Sequence, residues 1–220
     1  MPASGPGALS CRERARLWLA SLFVDHAILR LAWHNFAPVI PGRLYRSNHP
    51  DPVTLARLVR RWGIRSVINL RGEKYNASND LGARAAARLG VELRYLGLES
   101  RGAPHRARIL RFAELYAGLP RPILIHCKSG ADRAGLAAGL AVLIEGGTSR
   151  EAMKQLSWKF LHVRQSRTGI LDAFFRLYAE KGEGRMPFLD WVRDEYDESQ
   201  LTRAPTRLAS FLNDVLLRRE

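Results

Sequence analysis

The feature that most constrains this chain is a repeated switch between short β-branched runs and helical stretches. Ile64–Leu70 (IRSVINL) and Ile123–Ile125 (ILI) are compact apolar runs bounded by Gly63 and by Pro120 and Pro122. Such runs read as buried strands. Leu44–Arg46 and Val91–Leu98 supply two more. Between them, Pro52 opens a helix that Gly63 stops, an Ala-rich helix covers about Asp80–Leu89 before Gly90, and Arg106–Ala117 forms the next. The core begins after Pro38 and Pro41–Gly42. Alternation of this kind predicts an α/β fold with a central, mostly parallel sheet flanked by helices. From Leu136 onward strands vanish. Helices are expected over about 136–144, 149–160, 169–179, 187–196 and 206–218, separated by Gly146–Gly147, Lys181–Gly184 and Ala204–Pro205.

This organisation gives a disordered tail over 1–10, an amphipathic helix over 11–36, a catalytic domain over 37–180 and a C-terminal helical extension over 181–220. Arg12, Arg14 and Arg16 precede an apolar stretch, Leu17–Val24, as in a secretory leader, but Asp25 and His26 follow with no small-residue cleavage site. A membrane span is not expected there either, because Asp25, His26 and Arg30 are costly in a bilayer centre. The 11–36 helix packs on its own domain or lies on an anionic membrane surface, with Trp18, Leu22, Leu29 and Trp33 as apolar contacts.

Lys and Arg total 35 against 21 Asp and Glu, a formal charge of +14. That field attracts anions such as phosphorylated substrates or anionic lipid, though a generally basic background gives the same count. The two cysteines, Cys11 and Cys127, lie far apart with no C-x-x-C pairing. A disulfide framework and a cysteine zinc site are therefore excluded, and a reducing cytoplasm is the expected compartment. His34 and His49 form no metal-ligand spacing with any acid. No metal or cofactor is expected, and nucleic acid is not expected as a partner.

The chemistry concentrates in Ile123-Leu124-Ile125-His126-Cys127-Lys128-Ser129-Gly130-Ala131-Asp132-Arg133-Ala134-Gly135. A strand ends at His126 and a helix begins near Asp132. A short loop in this setting turns successive N–H groups inward, and the helix N-terminus adds its positive end. The amides of Lys128, Ser129, Gly130, Ala131, Asp132 and Arg133 suit a phosphate dianion. The same field stabilises a thiolate, so Cys127 is the candidate nucleophile. Arg133 offers a guanidinium fork for two phosphoryl oxygens.

The segment resembles the C-x₅-R signature of the protein tyrosine and dual-specificity phosphatase superfamily, with His before Cys and Gly three residues after it. The likeness runs from about Pro41 to Tyr178. Leu44-Tyr45-Arg46-Ser47 and Val67-Ile68-Asn69-Leu70-Arg71-Gly72-Glu73 are similar to segments of its bacterial atypical dual-specificity group and of phosphatases acting on inositol pyrophosphates. The resemblance implies the phosphatase α/β sandwich with extra C-terminal helices. It implies hydrolysis of a phosphomonoester or phosphoanhydride through a cysteinyl-phosphate. A lipid phosphate phosphatase at the inner membrane face and a phosphate-binding pseudophosphatase are the alternatives.

Two departures stand out. Ala134 occupies the position where the superfamily usually has the Ser or Thr that eases turnover of phosphocysteine. The loop Leu98–Pro104, where classical members place an Asp general acid, contains only Glu99. Asp132 competes for that role, since repulsion from a bound dianion favours a carboxyl that holds its proton; its other reading is an N-cap. Lys128, Arg101 and His105 line the entrance or are solvated. Arg46 and Arg71 approach the same end of the sheet or pair with Glu73. His162, Trp158 and Phe160 read as helix packing.

Overall fold

The computed structural model describes residues 35–73 and 76–202. The expected tail over 1–10, nearly all of the 11–36 helix and the 206–218 helix lie outside them. Among the described residues two compact units emerge, one comprising residues up to Gly97 together with Gly118–Gly130, the other Leu98–Ala117 together with residues 131–202.

The first unit contains a five-stranded sheet of β1 (Ala37–Ile40), β2 (Leu44–Ser47), β3 (Ser66–Asn69), β4 (Glu92–Tyr95) and β5 (Ile123–His126), in the order β1-β2-β5-β3-β4. All neighbouring strands run parallel except β1, which pairs antiparallel with β2. Strand β1 was not expected, because Pro38 reads as a break. It is an edge strand, where a missing N–H costs no ladder bond. The residues just before it correct the expected helix at its end: Asn35 and Phe36 are not helical, and Asn35 takes φ +47°, a conformation that asparagine tolerates.

β5 is central, and all four of its residues are buried, which is why Ile-Leu-Ile carries no alternation. Helices α1 (Pro52–Trp62) and α2 (Ala77–Leu89) belong to this unit. Asp51 caps α1 through the Val53 and Thr54 amides, and Gly63 ends it at φ +64°. Leu55 and Leu58 pack with Tyr45, Val67, Ala86 and Leu124. Each such apolar side chain contributes about 1.5–3 kcal/mol on burial.

The second unit holds most of α3 (Arg106–Gly118) and then α4 (Asp132–Ile144), α5 (Ser149–Met153), 3₁₀ turns at Trp158–Phe160 and Arg167–Gly169, α6 (Ile170–Lys181), α7 (Phe188–Asp194) and α8 (Ser199–Thr202). Ten consecutive residues of α4, Ala134–Leu143, are buried. Gly139 lets α6 approach: a Cβ there would come within 2.4 Å of the Phe175 ring. Phe174, Tyr178, Phe188, Trp191 and Tyr196 meet in tilted and edge-to-face pairs as an aromatic core. The helix expected over 149–160 stops at Met153. Leu161, at φ +63°, then closes the Trp158–Phe160 turn.

Candidate active site

In-register pairing aligns the carboxyl ends of the three inner strands: Ser47 and Asn69 both face His126. Residues leaving those strands therefore emerge at one end of the sheet, the end at which α/β folds bind ligands. Cys127 is the first residue past the central strand. It is only 3% exposed.

The loop's carbonyls are held from behind. The buried Arg46 side chain donates from Nη2 to the Gly130 carbonyl at 2.6 Å. Asn35 Nδ2 donates to the Ser129 carbonyl at 2.8 Å, and the His49 amide to the Lys128 carbonyl at 3.5 Å. In a trans peptide the carbonyl and the next N–H point opposite ways, so anchoring the Lys128 and Ser129 carbonyls turns the Ser129 and Gly130 amides to the other side. The Gly130 amide accordingly donates to Cys127 Sγ at 3.2 Å. Gly130 itself sits at φ +76°, and a Cβ would lie 2.7 Å from the Asn48 nitrogen and 2.8 Å from Asn35 Cβ. Only glycine fits there. Lys128 and Ser129 are exposed. Arg46 thus reaches this end of the sheet, and it is a strut for the loop.

The boundary between the two units falls between Gly130 and Ala131, inside the loop. On the far side, Ala131 occupies the cap position of α4 with no side-chain bond. Asp132 is therefore the first helical residue, which corrects its reading as the N-cap. Arg133 is partly buried, and its Nε donates to the Leu98 carbonyl at 2.8 Å.

The Asp132 carboxylate is occupied elsewhere. Its Oδ1 lies 2.8 Å from His162 Nδ1, and His162 Nε2 lies 2.7 Å from Asp172 Oδ2. Arg164 Nε donates to Asp172 Oδ1 at 2.8 Å. The His162 and Asp172 side chains are fully buried, whereas Asp132 is 26% exposed, so the chain of contacts runs from the core to an accessible carboxylate. Burial opposes a charge on His162. Hydrogen bonds donated to the Asp132 and Asp172 carboxylates, and the charges of both, overcome that and push its pKa up to about 9. His162 is thus not helix packing, and its segment is not helical. A lone histidine at no motif spacing gave no signal for this. Trp158 also departs from the packing reading, at 73% exposed, while Phe160 is buried as expected.

The other acid, Glu99, accepts from Arg108 Nη1 at 2.5 Å and from the His105 amide at 3.3 Å, with the His105 ring 3.7 Å away. Its carboxylate is committed to the start of α3. Arg101 and His105 are exposed, and the Arg71 amide donates to Asn69 Oδ1 at 3.0 Å.

The family model of the DSP-PTPase phosphatase fused to NAD+ kinase matches residues 43–165, more than half of the 220. The chain belongs to this phosphatase family. No curated protein matches it. Among solved structures, it is similar to the core catalytic domain of the PP-IP phosphatase SIW14 from S. cerevisiae, with 21% identity and a TM-score of 0.53 over 67% of this chain and 92% of that one. A variant of P. aeruginosa TpbA in complex with pTyr gives 22% identity and a TM-score of 0.51 over 74% of this chain and 94% of that one. At such identities the likeness speaks for the fold, which is the phosphatase-type α/β sandwich. Family membership makes the chain a cysteine-dependent phosphoric ester hydrolase of the dual-specificity type, acting on a phosphorylated, anionic substrate.

Proposed function

We propose that Cys127 is the nucleophile and that Arg133 and the amides of Lys128, Ser129, Gly130, Ala131, Asp132 and Arg133 bind the phosphoryl group. The Cys127 thiolate attacks phosphorus, an S–P bond forms and the bond to the leaving oxygen breaks. Asp132, which takes up a proton when the phosphoryl dianion binds against its carboxylate, gives that oxygen the proton. Water then attacks the phosphocysteine, Asp132 takes the proton back, and inorganic phosphate leaves. The observation that carries this reading is the Gly130 amide donating to Cys127 Sγ while Arg46 and Asn35 hold the carbonyls away.

His162 acts through Asp132. Its hydrogen bond to Oδ1 fixes the carboxyl's rotation and leaves Oδ2 to meet the leaving oxygen. Once Oδ2 has lost its proton, the imidazolium stands beside the new carboxylate and stabilises it. Glu99, tied to Arg108, is the weaker contender.

The substrate is a phosphomonoester or a phosphoanhydride. SIW14 is a PP-IP phosphatase and the TpbA variant holds pTyr, so inositol pyrophosphates and phosphotyrosine head the substrate panel. Cytoplasmic placement suits a reactive thiol. Contact with an anionic membrane through residues 11–36 rests on sequence outside the described residues. The roles are tested by Cys127→Ser, which abolishes turnover of an aryl phosphate, and by Arg133→Lys, which lowers it by orders of magnitude because a point charge does not replace the fork. Wild-type rates in either variant would refute the assignment.

A further inference from the structure

Four large apolar residues stand exposed among the described residues, and three of them, Trp158, Leu161 and Val163, lie within six positions of one another. The segment alternates: Phe160 and His162 turn inward and are 7% and 3% exposed, while Trp158, Leu161 and Val163 turn outward at 73%, 48% and 41%. Leu161 holds its outward pose in the left-handed region, at φ +63°. This projecting apolar crest is a property of the segment's backbone and not of one stray side chain.

Cations surround it. Trp158 borders an open groove to which Arg150, Lys154, Arg164 and Arg176 contribute, and no Asp or Glu lines that groove. Lys159 and Arg167 are exposed on the same stretch of chain. The acid on α5, Glu151, accepts from the Thr148 amide at 2.8 Å in a capping box and also lies close enough to Lys154 for their charges to interact. Asp172 is fully buried against His162 and Arg164.

We propose that the Trp158–Val163 crest and its basic rim dock on an anionic lipid bilayer. An aromatic ring with two aliphatic neighbours suits the interfacial zone, where amphipathic side chains settle. Lys and Arg at the rim meet the negative surface potential. The charge complementarity selects this occupant: Arg150, Lys154 and Arg176 line the groove together with Arg164, whose Nε is held by Asp172, and no Asp or Glu is among its lining residues. The surface differs from the 11–36 segment, and its docking does not depend on the assignment of the catalytic residues. It places the membrane next to the strand of chain that carries His162.

The test compares the full-length protein with a Trp158→Ala/Leu161→Ala double variant and an Arg150→Glu/Lys154→Glu double variant. Each is sedimented with vesicles of phosphatidylcholine alone or mixed with phosphatidylglycerol, at low and high salt. The wild type is expected to bind the anionic vesicles and to be released by salt. Both variants are expected to bind at least about tenfold more weakly, with turnover of a soluble aryl phosphate unchanged. Wild-type protein that ignores anionic vesicles overturns the proposal. So does undiminished binding by both variants, which would move the contact to another surface such as residues 11–36. A crest substitution that shifts the sedimentation coefficient without vesicles, and leaves vesicle binding intact, assigns the face to a second copy and overturns it as well.

Discussion

His162 Nδ1 lies 2.8 Å from Asp132 Oδ1, although the two residues are thirty positions apart. The contact joins an irregular stretch of chain to the first residue of the helix that carries Arg133, and it turns the Asp132 carboxylate toward His162, where a helix-capping carboxylate would face the amides of its own helix.

The pair makes a leaving-group prediction. If Asp132 protonates the leaving oxygen, Asp132→Asn slows an alkyl phosphate by about 10²-fold or more, while p-nitrophenyl phosphate, whose leaving group needs little help, loses far less. His162→Asn shows the same selectivity at smaller size, read as a fall in kcat with KM nearly unchanged. Equal losses on both substrates would show that Asp132 serves only the fold. Glu99→Gln is expected to show no such selectivity.

The same contacts set a pH dependence of stability. His162 titrates near 9 in the fold and near its ordinary value of 6.5 when unfolded. Its charged pairing with Asp132 and Asp172 is fully present below pH 6.5 and is lost as pH rises through 9. Thermal melts across that window should record a loss on the order of 2 kcal/mol in the wild type. His162→Asn should flatten the profile, because the titrating group is gone. A wild-type curve already flat between pH 6.5 and 9 would contradict the pairing.

Arg46 offers a test of the loop's scaffold. Arg46→Met removes the donor to the Gly130 carbonyl and leaves that carbonyl buried and unpaired. A cost of about 1–3 kcal/mol follows from the lost partner. Affinity for a phosphate mimic such as tungstate should fall at least about tenfold, because the amides are no longer aimed. A variant that is destabilised but binds tungstate normally would show that Arg46 supports the core and not the loop.

Much of this was legible in the sequence. The βα loop could be read because its chemistry is local: an apolar strand, Cys127, Gly130 and Arg133 at fixed spacing. Helix α1 matched its expected bounds, Pro52–Trp62, since Pro52 at the start and Gly63 at the end leave no ambiguity. What escaped depends on distant partners. Pro38 is harmless only because β1 lies at the sheet edge. Arg46 reads only as approaching the loop's end of the sheet or pairing with Glu73 until the Gly130 carbonyl, 84 residues on, gives it a buried acceptor. His162 reads as packing until Asp132 and Asp172 reach its two nitrogens. The helix expected across 149–160 gives way after Met153 to a 3₁₀ turn that Leu161 closes in the left-handed region, which no local signal marks.

The central claim is that phosphate passes through Cys127, and it can be tested by trapping the intermediate. Ala134, fully buried, supplies no hydroxyl to speed the second step, so the phosphocysteine is expected to accumulate in the steady state. Rapid acid quench during turnover of an aryl phosphate, followed by peptide mass spectrometry, should find one phosphoryl group on the peptide containing Cys127. The same quench of Cys127→Ser should find none on that peptide. Turnover that proceeds with no phosphoryl adduct on Cys127, or with the adduct on another residue, would contradict the account.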